Sequence, residues 1–310
     1  MLRKIVNQKG INIVPTTARH PDNVLDLLKS KLPFRSLKFK VPYIIGASGA
    51  LIKDQNGQVI RKKTIDPETV KHIIEVLNKH DVLYCILTSD NKWYKVPSVR
   101  HNDYLQGDTR KFITVKGNPI KQLGNDITEI LQIVPYIDPS NDEHRGKLKA
   151  IEQDLQNLKV SISSSSKRLL EIGPEGINKG EAIKFLCKLL GWDLEKTFGF
   201  GDSRNDTDTA KEVGTFIAMP NAPAELLELA TSIAPNDHNH DGVAHGIKKI
   251  IEEFAKQSSP SPSRFQSTLN RLAKKKPSSI IRSREKDNDG TRTHISPSLS
   301  PFLLPQQWTT

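Results

Sequence analysis

Apolar residues along this chain fall into short runs, separated by segments whose apolar positions recur at helical spacing. Ile11–Val14 predicts a buried strand, and Thr16-Thr17-Ala18-Arg19 follows as a loop. Pro21 then opens a helix with Val24, Leu25 and Leu28 on one face. Tyr43–Ile45 predicts a second strand. Ala50–Lys53 and Gln58–Arg61 flank Asn56-Gly57, a strong hairpin signal. The middle of the chain predicts a helix over Pro67–Lys79, strands at Val82–Thr88, Phe112–Val115 and Ile130–Val134, and a helix near Arg145–Asn157. A strand pair at Val160–Ser163 and Arg168–Ile172 completes it. From Lys179 the pattern is regular again, with a helix to Leu190, a strand at Thr197–Gly201 and a helix from Asn205. Strands at Phe216–Ala218 and Ser232–Ala234 precede a last helix from about Asp241 to Lys256. Alternating β and α at both ends, around a mixed middle, predicts an α/β parallel-sheet core interrupted by an inserted domain.

Composition changes this picture mainly at the C-terminus. From Gln257 onward the chain is rich in Ser and Pro and carries Lys274-Lys275-Lys276. This segment holds nine Lys/Arg and three Asp/Glu, so it supplies +6 of the net +11 and leaves the body at +5. Low hydrophobicity with Ser, Pro and positive charge predicts a disordered tail. The tail's charge has no aromatic interleaving, which argues against nucleic acid as a partner. Two cysteines, Cys85 and Cys187, each lie inside an apolar run, as buried reduced thiols of a cytoplasmic protein would. The first residues turn polar too soon for a secretory leader, and no run approaches the roughly 18 apolar residues of a membrane span.

The stretch FGFGDSRNDTD, Phe198–Asp208, carries the most chemistry. An apolar strand ends at Gly201, and Asp202, Asp206 and Asp208 follow at once. Carboxylates at the carboxyl end of a parallel strand sit where open α/β sheets bind ligands, and with Asn205 they form a hard-oxygen set suited to Mg²⁺. The same residues also suit a solvated acidic helix start. Thr17 follows a strand and could hold an oxyanion, or serve as ordinary polar loop. Asn178 and Glu181 make a pattern like a capping box, which places Lys179 in the first helical turn. A cation there opposes the helix dipole unless an anion shares the site. His238, His240 and His245 fit no zinc spacing with a required geometry.

The ordered segments EIGPEGINKGEAIKFL, FGFGDSRNDTDTAKEVGTFIAMPNAPAEL and DGVAHGI resemble the C-terminal half of the Cof-type haloacid dehalogenase-like phosphatases. IVPTTARHPDNVLDLL and PYIIGASGALIKDQNGQVI resemble that family's second motif and the hairpin after it. The resemblance covers about Met1–Phe254. It implies a Rossmann-like core at 1–62 and 165–256 and an inserted α/β cap at 63–164, ahead of the basic tail at 257–310 that composition predicts to be disordered. It implies a Mg²⁺-dependent phosphatase acting on small phosphorylated metabolites such as sugar phosphates. By the resemblance Thr17 holds the transferring phosphoryl oxygens, Lys179 neutralises their charge, and Asn205 contacts phosphate. Asp202 would ligate Mg²⁺, and Asp206 would orient the metal site from behind.

The family's first motif, a strand ending in Asp-x-Asp-Gly-Thr, has no counterpart ahead of Thr17. Its first Asp is the nucleophile, and its strand lies between those carrying Thr17 and Asp202. The expectation is therefore a core lacking its central first strand and a chain with little or no turnover. A non-catalytic protein that binds phosphorylated metabolites is the alternative. Asp287-Asn288-Asp289-Gly290-Thr291 matches the motif's letters, but Arg-Ser-Arg-Glu-Lys precedes it where an apolar strand is needed. Asp90 follows an apolar run, yet the resemblance places that run in the cap. Ala18 stands where the family usually has Gly, and Ser48 where it often has Asn.

Overall fold

The computed structural model describes residues 11–30, 41–99, 110–137, 146–166, 169–257 and 302–305. Lys274–Lys276, Asp287–Thr291 and Trp308 lie outside these residues. Two sheets organise the chain. The first part of the larger sheet comes from β1 (Ile13–Thr16), helix α1 (Pro21–Ser30), β2 (Tyr43–Gly46), β3 (Leu51–Asp54) and β4 (Val59–Lys62). The smaller sheet follows, from α2 (Pro67–Lys79), β5 (Leu83–Thr88), β6 (Trp93–Val96), β7 (Phe112–Thr114), α3 (Pro119–Leu123), β8 (Ile130–Tyr136), α4 (Lys147–Leu155), β9 (Val160–Ser166) and β10 (Leu169–Pro174). The chain then returns to the larger sheet through α5 (Lys179–Leu190), β11 (Phe198–Gly201), α6 (Thr207–Glu212), β12 (Thr215–Ala218), α7 (Ala224–Leu229), β13 (Ser232–Ile233) and α8 (Gly242–Gln257). One further strand, β14 (Phe302–Pro305), belongs to the same sheet.

Strand order in the larger sheet is β13-β12-β11-β14-β1-β2-β3-β4. It is parallel from β13 to β2 and antiparallel through the β2–β3–β4 meander. All four residues of β1 are buried, as a parallel strand covered on both faces requires. Alternation splits its neighbours between two layers. Val14, Ile45, Ile183, Leu186 and Phe216 pack on the α5 side, while Ile13, Phe200, Ile217 and Ile247 pack on the α8 side. In the smaller sheet, ordered β7-β6-β5-β8-β10-β9, most neighbours run antiparallel. Helix α2 covers one face. Asp66 caps its Thr69 N–H, and Val70, Ile73, Ile74 and Leu77 all turn inward. The other face meets the core, where Leu83, Cys85, Leu87 and Leu131 pack against Ala50 and Leu51.

The interval between β1 and β11 differs from the sequence expectation. That reading left the core without its central strand and placed no structure in 257–310. Phe302–Pro305 fills this slot, paired in parallel with β1 from Ile13↔Phe302 to Thr16↔Pro305, and with β11 at Phe198↔Phe302. The physical reason is that two buried strand edges need partners for their N–H and C=O groups. A short apolar segment far along the chain meets that need. Strand β6 and helices α3 and α7 were also absent from the sequence reading. Among the described residues no helix is long and apolar enough to cross a membrane.

Candidate functional site

The carboxyl ends of β1 and β11 converge on one polar cluster. Thr17, 3% exposed, follows β1 directly. Its N–H donates to Ile45 O at 2.9 Å and its carbonyl accepts from Ser48 N at 3.0 Å. Its Oγ1 accepts from Arg19 N at 3.2 Å, a bond that uses a lone pair and leaves the hydroxyl proton to donate. Ser48 holds a left-handed φ of 51°, a conformation that side chains other than glycine adopt at some cost.

Lys179 enters from α5. Asn178 is the N-cap, and its Oδ1 accepts from Glu181 N at 2.8 Å. Only this half of the anticipated capping box forms. Glu181 turns its carboxylate to Arg61, in a two-pronged contact at 3.0 and 2.7 Å. Lys179 is buried, 2% exposed, and its Nζ donates to Asn205 Oδ1 at 2.7 Å and Asp206 Oδ1 at 2.8 Å. An ammonium has three N–H donors, so one remains for a ligand. Gly180 behind it is obligatory, because a Cβ there would sit 2.2 Å from the Asp208 carbonyl oxygen.

Asp202, Asn205 and Asp206 come from the turn after β11. Ser203 and Asp206 form a capping box, which the sequence reading passed over although Ser-x-x-Asp before a helix is its signature. Asp206 is 1% exposed, and its Oδ2 accepts from the N–H groups of Asp202 and Ser203, each at 3.1 Å. A Cβ at Gly201 would lie 2.6 Å from Asp206 Cβ, so only glycine lets this carboxylate sit against the strand end. Asp202 is partly exposed, and its Oδ2 accepts from Asn221 Nδ2 at 3.4 Å.

Asn205 does not present its amide to solvent. Oδ1 accepts from Lys179 and from Ser203 Oγ at 2.7 Å, while Nδ2 donates to Glu171 at 3.3 and 3.4 Å. It therefore holds Lys179 in place. Glu171, 3% exposed on β10, also accepts from Ser48 Oγ at 2.6 Å. The sequence reading missed Glu171, although a lone carboxylate between Leu170 and Ile172 in a strand is the signal that could have shown it.

Asp90 lies in the exposed turn after β5, at the edge of the smaller sheet, where Thr88 Oγ1 donates to it and Lys92 stands 2.9 Å away. Desolvation pulls the other way, but these partners hold its carboxyl below the usual range. His240 Nδ1 meets Asp237 at 2.6 Å, and no group of three metal-binding side chains exists among the described residues. Asp202 thus offers a single carboxylate. That fits Mg²⁺, which often takes one or two protein carboxylates and completes its shell with phosphate oxygens and water.

A sequence profile of the haloacid dehalogenase-like hydrolases matches residues 2–247. Two Bacillus subtilis proteins are similar along most of their length. The 5-amino-6-(5-phospho-D-ribitylamino)uracil phosphatase YcsE is 26% identical over 243 residues, covering 78% of this chain and 83% of its own. The phosphatase YwpJ is 25% identical over 260 residues, covering 78% and 88%. Among solved structures, the subclass IIB sugar phosphatase BT4131 superposes with a TM-score of 0.65 at 20% identity, covering 80% of this chain and 89% of that one. A Bacillus subtilis haloacid dehalogenase-like hydrolase gives 0.64 at 22% identity, covering 80% and 90%.

Proposed function

Because this chain belongs to the haloacid dehalogenase-like hydrolase family, we propose that it binds phosphomonoesters of small metabolites together with Mg²⁺ at the ends of β1 and β11. The observation that carries this reading is the buried Lys179 ammonium, held by Asn205 and Asp206 with one N–H donor to spare. A cation so placed at the first turn of a helix is stabilised by a bound anion. Thr17 donates its hydroxyl to a phosphoryl oxygen from the opposite strand end. Asp202 would hold Mg²⁺, which when bound neutralises charge on the phosphoryl oxygens. Asp206 keeps Lys179 and the backbone of Asp202 and Ser203 in register. The names of the similar proteins, a phosphoribitylaminouracil phosphatase and a sugar phosphatase, support a small phosphorylated metabolite as the ligand class. Cys85 and Cys187, both buried, suit a cytoplasmic protein.

Turnover is a separate matter. Phosphatases of the kind this chain resembles transfer the phosphoryl group to an aspartate on the strand between those of Thr17 and Asp202. Here that position is taken by Phe302, Leu303, Leu304 and Pro305, which bring no carboxylate. The reading is therefore binding with little or no hydrolysis. Calorimetric titration of the 310-residue chain with inorganic phosphate and Mg²⁺ tests the binding. Saturable binding abolished by Lys179→Ala, with Mg²⁺ dependence lost in Asp202→Asn, supports the site, and absence of binding overturns it. Rapid hydrolysis of p-nitrophenyl phosphate that disappears in Asp202→Ala would overturn the second half and leave an ordinary phosphatase.

A further inference from the structure

A groove of about 380 Å³ lies on the α8 side of the larger sheet, between that helix and the β12–β13 edge. It opens toward the amino ends of the strands, away from the phosphate site. Ile217 and Ile250, 3% and 8% exposed, form its floor and continue the packing of Phe200 and Ile247. Phe198 and Thr215, the first residues of β11 and β12, close one end, and Lys249 stands at the rim. Ile233, on the edge strand, also lines the groove and is 52% exposed. An apolar floor left open beside an exposed isoleucine is a surface that a further apolar segment can cover.

The chain carries such a segment next to the groove. Gly246 of α8 lies against Phe200, where a Cβ would fall 2.6 Å from the ring, and Ile250 shares the groove with Phe198. Helix α8 therefore runs toward the amino ends of the strands. It ends at Gln257, beyond Ile250 by about 10 Å at 1.5 Å per residue. Phe302, which begins β14, is paired with the same Phe198. Residues 258–301 thus leave and rejoin the sheet at the end where the groove opens. Within them, Ser263 to Pro277 (SRFQSTLNRLAKKKP) carries a full helix signature. Ser263 and Gln266 have capping-box spacing, Lys274–Lys276 suit a last turn, and Pro277 stops it. Phe265, Leu269 and Leu272 recur at i, i+4 and i+7, the anchor spacing of a helix laid in a groove.

We propose that residues 263–277 dock in this groove as an amphipathic helix, with Phe265, Leu269 and Leu272 set against Ile217, Ile233 and Ile250. The tether permits it, since the eight residues from Gln257 to Phe265 reach at most roughly 26–29 Å, more than the way back to Ile250. So short a tether also holds the segment at a local concentration of about millimolar order, which a separate protein does not match. Ser267, Asn270, Arg271 and Lys274 fall on the opposite helical face and stay in water. By its composition the tail buries too little apolar surface to fold alone, and the groove supplies the missing partner. Docking also shortens the free chain ahead of Phe302, which favours the return of β14 to its slot.

The test is oxidative cross-linking of the 310-residue chain carrying Ile233→Cys and Leu269→Cys, in which the native Cys85 and Cys187 are buried. A disulfide within one chain is expected. It should form at least about fivefold faster than in a control carrying Ile233→Cys and Ser283→Cys, because docking concentrates residue 269 at the groove. Equal rates in the two pairs overturn the proposal. A disulfide formed only between two chains also overturns it and gives the groove to a second copy. The second measurement uses Leu269→Glu with Leu272→Glu, which changes no described residue. Thr231 N and Ala234 N donate to Phe216 O and Ala218 O, and exchange of these amides should accelerate by about threefold or more. Unchanged exchange at both positions overturns the proposal whatever the cross-linking rates.

Discussion

Lys179 Nζ stands 2.8 Å from Asp206 Oδ1, with 2% and 1% of the two side chains exposed. The pair ties the first turn of α5 to the turn after β11, and so joins two strand-end segments that are 26 residues apart at Asn205. Water screens it little, so removing one partner strands the other charge in the interior. Lys179→Met is expected to lower the unfolding free energy by about 3 kcal/mol. The backbone N–H donors on Asp206 keep the loss toward the lower end of the range for buried pairs. Urea unfolding of the two proteins measures it, and superimposable curves would show that the pair carries no structural weight.

Much of this arrangement is legible in the sequence because it is local. Asn178, three residues before Glu181, announces the start of α5 and hence the place of Lys179. An apolar run ending in Gly201-Asp202 announces a strand end with a carboxylate. Asn56-Gly57 announces the β3–β4 turn. What the sequence conceals depends on distant neighbours. Trp93–Val96 alternates too weakly among Lys residues to read as a strand until β5 lies beside it. Glu171 and Gln132 look like solvated positions of half-buried strands, and only the docking of the smaller sheet against Ser48 buries them. Phe302–Pro305 is four residues in a Ser- and Pro-rich context, and nothing within the segment announces a partner some 290 positions away. The turn after Ser203 was readable from its Ser-x-x-Asp spacing and was passed over for the acidic cluster around it.

Gly201→Ala probes the close approach at the end of β11. The new Cβ would fall 2.6 Å from Asp206 Cβ and 2.7 Å from its Oδ2, neither of which can retreat without releasing Lys179 or the N–H groups of Asp202 and Ser203. Overpacking of this kind costs about 1–3 kcal/mol. The expected outcome is a lower unfolding midpoint together with weaker phosphate binding. Unchanged phosphate affinity in a destabilised protein would mean that the Asp206 turn does not position the site.

His20 gives the fold a defined acid limb. It is fully buried at the entry to α1, with Nε2 3.1 Å from Ser89 O and Nδ1 accepting from Asp22 N at 3.2 Å. These contacts belong to the neutral ring with its proton on Nε2. Burial holds its pKa below the usual 6.5, and the nearby Lys53 adds to this. The Ser89 carbonyl and the carboxylates of Asp22 and Asp90 pull the other way. A folded pKa below the unfolded one means that the unfolded chain takes up a proton first. The contribution of His20 is thus full above about pH 6.5 and is lost as pH falls through the folded value. The thermal midpoint should drop as pH falls below about 6.5, and His20→Gln, which does not titrate, should flatten that limb. Parallel limbs in the two proteins would assign the acid sensitivity elsewhere.

Phe302–Pro305 sets the last expectation, since two other strands depend on it. Its backbone pairs with β1 at four successive positions and with β11 at Phe198. Without it, the facing edges of two buried strands lose the partners of their N–H and C=O groups, and an open parallel edge invites pairing with another chain. Leu303→Pro removes a backbone donor from the centre of the sheet, where proline is not accommodated. Amide exchange at residues 13–16 and 198–201 should accelerate by on the order of tenfold or more, because these groups would then open with the local slot rather than with the whole domain. Deleting residues 302–310 should act in the same direction, and a synthetic peptide carrying Phe-Leu-Leu-Pro, added in trans, should slow exchange at the same positions. Protection retained in both variants would show that β1 and β11 are stable without this strand. The slot would then be available to a different one, and Phe302–Pro305 would not be what limits turnover.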